Sequence, residues 1–148
     1  MTTAYADETY GNTYFAERLN SDAWDDATSA NRVKALKQAT RAIDNQNYTG
    51  LKNDEAQENQ FPRGDDTVVP DVILQATCEL ALALLDGVDP NLEIENLSVT
   101  RQGIGDAKIE RDTSYVQEHI RNGVPSIQAW ILLKPFMLDP GNIDVSRG

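Results

Sequence analysis

Between Pro70 and Gly87 the chain reads PDVILQATCELALALLDG, and this stretch constrains the fold more than any other. Val72, Ile73, Ala76, Leu80, Ala83 and Leu84 recur at helical spacing, and Leu82 and Leu85 widen the stripe. Pro70 suits the first turn of a helix, Asp71 complements its dipole, and Gly87 suits its end. A stripe this broad needs covering on more than one side, which predicts a central helix buried among others. The longest purely apolar run, Leu80 to Leu85, is far shorter than the roughly 20 residues of a membrane span. No membrane partner is expected.

Other helical segments can supply that cover. After a cap at Thr28 or Ser29, the positions Val33, Leu36, Ala39, Thr40 and Ile43 form one apolar face. A short helix is predicted from Asn12 or Thr13 to Leu19, with Tyr14, Phe15 and Leu19 as its apolar residues. Another is predicted at Ser126–Leu133, after Pro125, with Ile127, Trp130, Ile131 and Leu133 apolar and Pro135 closing it. Trp24, alone among acids, reads as a satellite core anchor. The residues up to about Gly11 are polar and read as a mobile start; they show no signal-peptide pattern, so no export route is read. Residues 45–69 lack periodicity, and Tyr48, Leu51 and Phe61 are the side chains able to pin that long loop. Ser98–Arg111 reads as a β-hairpin turning at Gly103 and Gly105, and Leu138–Gly148 as an extended tail. The expectation is a mainly α chain, one domain of 148 residues, built as a bundle of about four helices.

Catalysis finds little support. His119 is the only histidine and reads as a surface residue; Cys78 is the only cysteine and sits on the core helix, where it reads as a small buried hydrophobe. The paired acids Asp25-Asp26, Asp54-Glu55 and Asp65-Asp66 lack the alternating ligands and central glycine of a calcium loop. Gly103-Ile104-Gly105 lacks the third glycine of a phosphate-binding fingerprint. No enzyme activity, metal or cofactor is expected. Arg63-Gly64-Asp65 spells an adhesion tripeptide, but three residues carry little information; Gln60-Phe61-Pro62-Arg63-Gly64 reads as a turn with an anchored aromatic.

Charge divides the possible partners. Thirteen basic and 24 acidic residues leave a net charge of −11, which disfavours broad, tight binding to nucleic acid. Against that background Arg32, Lys34, Lys37 and Arg41 concentrate positive charge on one helix. They read either as a solvated face paired with nearby acids or as a contact for an acidic partner or an identical subunit.

The order of these features resembles the head–tail connector (adaptor, or head-completion) proteins of tailed bacteriophages, some of which are labelled DnaT-like single-stranded-DNA-binding proteins. The resemblance runs from about Thr13 to Leu133. It rests on Phe15-Ala16-Glu17-Arg18, Trp24, the helix from Arg32 to Asp44, Tyr48 and Gly50, Gln60 before Pro62-Arg63-Gly64, and Pro70 opening a helix with Ala76 and Glu79-Leu80-Ala81. The family often has tryptophan where this chain has Tyr48 and Phe61. The resemblance implies a structural protein of the virion neck, made in the host bacterial cytoplasm. It would form a ring of identical subunits, commonly twelve, beneath the portal protein. That ring extends the channel through which genomic DNA passes without sequence-specific binding, and offers a surface to stopper, tail-completion or tail-terminator proteins. On this view Arg32, Lys34, Lys37, Arg41 and Arg63 are candidates for subunit or portal contact. Arg101, Ile104, Lys108, Leu138, Ile143 and Val145 are candidates for contact with neighbours or tail proteins. The alternative is a single-stranded-DNA-binding module, which needs a basic groove and aromatic platforms.

Overall fold

The computed structural model describes residues 3–89 and 118–138, together with the backbone of two short strands at 99–102 and 109–111. Among the described residues the protein is mainly helical. Its elements are α1 (Glu8–Ala16), α2 (Asp22–Asp25), α3 (Ser29–Asp44), α4 (Asp71–Leu85), α5 (Glu118–Arg121) and α6 (Ile127–Leu133), followed by a 3-10 turn at Lys134–Phe136. The strands β1 (Val99–Gln102) and β2 (Ile109–Arg111) pair antiparallel. The residues joining them lie outside the described set, so the expected hairpin at Ser98–Arg111 is not established as such.

Helix α4 is the centre. It packs against α3 on one side and α6 on the other. Ile73, Ala76, Cys78, Leu80 and Ala81 are fully buried in it. Thr77 is also buried, its hydroxyl donating to the Ile73 carbonyl at 2.7 Å, so the helix backbone satisfies that polar group internally. Burial pushes the Cys78 thiol up to about 12, which makes it a poor nucleophile. Helix α3 begins at a true N-cap, where the Thr28 side chain accepts from the Asn31 N–H at 3.2 Å. It buries Ala35, Leu36, Ala39, Thr40 and Ile43, while Val33, expected on that face, is 38% exposed. Helix α6 is capped by Ser126 and buries Ala129, Trp130 and Leu133; Ile127 and Ile131 face outward instead.

The start of the chain corrects the sequence reading. Helix α1 begins at Glu8, with the Asp7 carboxylate accepting from the Tyr10 N–H at 2.8 Å. Before it, Tyr5 and Ala6 are buried, and the Tyr5 N–H donates to Thr40 Oγ1 at 3.1 Å. The Tyr5 hydroxyl bonds Asp44 and accepts from the Phe61 N–H. Tyr5 is therefore held by partners 35, 39 and 56 positions away, which no local pattern reveals. Helix α1 ends at Ala16, and Leu19, expected inside, is 85% exposed. The chain turns there through Asn20, whose φ is 60°, and Arg18 Nη1 donates to the carbonyls of Leu19 and Asn20.

The long connection between α3 and α4 is anchored by rings. Phe61 is 3% exposed and meets Tyr5, Tyr48 and Phe136 edge to face, with centroids 6.0, 4.8 and 5.6 Å away. Leu51, the third expected pin, is 80% exposed and pins nothing.

Candidate nucleic-acid interface

Helix α3 separates its cations. Arg32 lies four residues before Leu36 and so points along the core-facing side. Its guanidinium donates to the carbonyls of Trp24 and Asp25 at 2.9 and 3.0 Å, pairs with Glu8 at 3.2 Å, and lies 5.3 Å from the Trp24 ring centroid. That arginine closes the α1–α2–α3 corner and is not available as an outer contact.

Lys34, Lys37 and Arg41 differ. Their i, i+3, i+7 spacing puts them on one face, turned away from the buried positions. Lys34 and Arg41 are exposed and Lys37 is half-buried. The ion pairs among the described residues use Arg18, Arg32 and Lys134, and none of these three. Among the described residues this stripe of three cations has no carboxylate partner, on a chain of net charge −11. Such a stripe attracts phosphate or carboxylate groups spaced along a partner.

Arg63 is likewise spent internally. It donates to the carbonyls of Thr49, Gly50, Gln60 and Tyr48, at 3.0, 2.6, 3.2 and 3.5 Å, and to Gln60 Oε1 at 2.8 Å. Its guanidinium lies 5.7 Å from the Tyr48 ring centroid. With its donors so engaged, Arg63 staples two limbs of the loop together and offers little to another molecule. Gly64 follows with φ 61°, and the isolated bridge between Lys52 and Arg63 completes the turn.

The other candidates are scattered. Arg101 pairs through its backbone with Glu110. Ile104, Lys108, Ile143 and Val145 lie outside the described residues. Leu138 is 56% exposed, and its N–H donates to the Asn47 carbonyl at 3.0 Å. His119 is half-buried, its Nδ1 2.8 Å from the Val124 carbonyl oxygen. The described residues form no cluster of three or more metal-ligating side chains.

Among the described residues, stacking platforms are scarce. Trp24, Phe15, Phe61, Tyr48, Trp130 and Tyr5 are all buried. The half-buried tyrosines are Tyr10 and Tyr14, one turn apart on α1, above the charged pair Arg18–Glu79. Glu79 is 5% exposed and receives Arg18 through two bonds, Nε to Oε2 at 2.7 Å and Nη2 to Oε1 at 2.9 Å; the Tyr14 hydroxyl adds a third at 2.5 Å. The sequence reading missed this constellation. The i, i+4, i+8 spacing of Tyr10, Tyr14 and Arg18 was its visible signal, obscured because the helix was expected to start after Tyr10.

Comparison with known proteins adds one positive finding. Neither a search of curated proteins nor one of solved structures returns a match. A family model matches residues 2–147, nearly the whole chain, and its description names DNA binding, not head–tail connection. The chain belongs to that family, described as "Putative DnaT-like ssDNA binding protein".

Proposed function

We propose that the protein binds single-stranded DNA through its phosphates, and that Lys34, Lys37 and Arg41 on α3 carry the contact. The observation behind this reading is the cation stripe on α3, without carboxylate partners among the described residues, in a family whose description names single-stranded-DNA binding. Because the largest aromatic rings are inside, the contact is electrostatic and indifferent to sequence. The net charge of −11 opposes it, which keeps affinity on the order of 10⁻⁴ M or weaker at physiological salt. Fluorescence anisotropy with a labelled 20-nucleotide strand tests this. The triple variant Lys34→Ala/Lys37→Ala/Arg41→Ala is expected to lose binding while keeping its helical circular dichroism. Equal binding by the variant would sink the assignment.

A second reading is the head–tail adaptor of a tailed phage, a ring of identical subunits under the portal. Its support is the order of landmarks from Phe15 to Ala81 and the exposure of large apolar side chains. Leu19, Leu51 and Val68 are 85, 80 and 75% exposed, as surfaces that a neighbour covers would be. In that case the α3 stripe meets an acidic surface of another subunit or of the portal. Electron microscopy of the protein mixed with its portal separates the readings. A docked ring supports the adaptor, and failure to dock together with DNA binding that depends on the stripe supports the first.

A further inference from the structure

The groove between α1 and α4, about 400 Å³, carries chemistry unlike that of the α3 stripe. Tyr10, Tyr14, Glu17 and Arg18 line it from the α1 side, and Asp71 and Gln75 from α4. Its donors are already committed. The Tyr10 hydroxyl and Gln75 Nε2 both donate to Asp71, at 2.6 and 3.1 Å. Tyr14 donates to Glu79, and Arg18 forks onto the same carboxylate. What stays open is a set of acceptors: the remaining lone pairs of Asp71, the Gln75 Oε1 and the exposed Glu17 carboxylate. The Arg18 charge is matched by Glu79, so Glu17 and Asp71 leave the groove negative. Two half-buried tyrosine rings, held by their hydroxyl bonds, stand one turn apart beside those acceptors.

We propose that this groove binds a single arginine side chain presented by a basic segment of a partner protein. A ligand here must bring donors and positive charge, and gains if it can lie flat on a phenol ring. Guanidinium meets all three needs. It is planar, carries five donors in a fork that matches a carboxylate, and stacks on aromatic faces. Ammonium lacks the plane and the fork. Phosphate is repelled by Glu17 and Asp71, so the site is distinct from the α3 stripe and does not depend on DNA binding there.

The test uses the full chain with ¹³C-labelled tyrosine, titrated with acetyl-Gly-Arg-Gly-amide and followed by NMR of the ring signals. The expected result is saturable shifts at Tyr10 and Tyr14, absent with the citrulline counterpart and weaker with the lysine one. Glu17→Gln should weaken binding about threefold, and Tyr10→Leu should also weaken it about threefold by removing a ring. Tyr10→Phe should retain it. Arginine-peptide shifts spread over the exposed carboxylates without saturation at Tyr10 and Tyr14 would overturn the proposal. So would equal binding of the citrulline peptide, or wild-type affinity in Glu17→Gln. That last variant changes an exposed rim side chain, so the site remains testable even where Tyr10→Leu impairs folding.

Discussion

Gly11 sits where α1 comes down on Trp24. A Cβ placed there would lie 2.5 Å from the Trp24 ring carbons, and the ring is 1% exposed with its Nε1 donating to Asn12 Oδ1 at 3.0 Å. The ring is wedged by Phe15 and Arg32 and has no free direction in which to yield. Gly11→Ala is therefore expected to destabilise by about 1–3 kcal/mol despite alanine's better helix propensity. Urea denaturation measures this, and a stabilised variant would contradict the packing described. Tyr5 and Tyr48 make a second prediction at this scale. Burial, then the nearby Asp44, raises both phenol pKa values above the ordinary 10.0. The native chain thus keeps two protons that the unfolded chain releases, so stability present below pH 10 is lost as pH rises beyond it. The urea midpoint should fall between pH 9 and 11, and Tyr48→Phe should flatten that fall. An identical slope in wild type and variant would show that Tyr48 titrates freely in the folded state.

At the scale of elements, the loop from Asn45 to Pro70 depends on Arg63. Arg63→Ala removes the donors that hold the carbonyls of Thr49, Gly50 and Gln60, at an expected cost of about 1–3 kcal/mol. Limited proteolysis should then cut within this loop faster than in the wild type, while α3 and α4 stay intact. Unchanged stability and cleavage would remove the staple from the account. What the sequence shows of these elements follows from the range of the forces involved. Helices α3, α4 and α6 were legible because apolar spacing and a local cap act within a few residues, as Thr28 and Ser126 do. The N-terminal segment was not, because Tyr5 is held by Thr40, Asp44 and Phe61. Within α3 the cations looked alike by composition. Their different fates follow from angle: Arg32 shares the side of Leu36, while Lys34 lies roughly half a turn away. Phe61 and the Pro-Arg-Gly turn were legible as anchors. Leu19 and Leu51 were not, since apolar character alone does not say which side chains the fold will reach.

At the scale of the whole molecule, buried polar chemistry joins the helices. Glu79, inside α4, is neutralised by Arg18 beyond the end of α1 and capped by Tyr14. Arg18→Met strands a nearly buried carboxylate and should cost about 2–3 kcal/mol, whereas combining Arg18→Met with Glu79→Leu should recover most of it. Thermal unfolding of the four proteins of that cycle measures the coupling, and additive losses would show that the pair does not join α1 to α4. On the proposed reading, the outer surface sets the partner through the three-cation stripe of a strongly acidic chain. The most direct test of that claim is the salt dependence of binding to a single strand of DNA. Three phosphate contacts predict that log Kobs falls with log salt at a slope of about −2, and that the Lys34→Ala/Lys37→Ala/Arg41→Ala protein loses the salt-dependent binding. Salt-independent binding, or the same slope in the triple variant, would contradict the account.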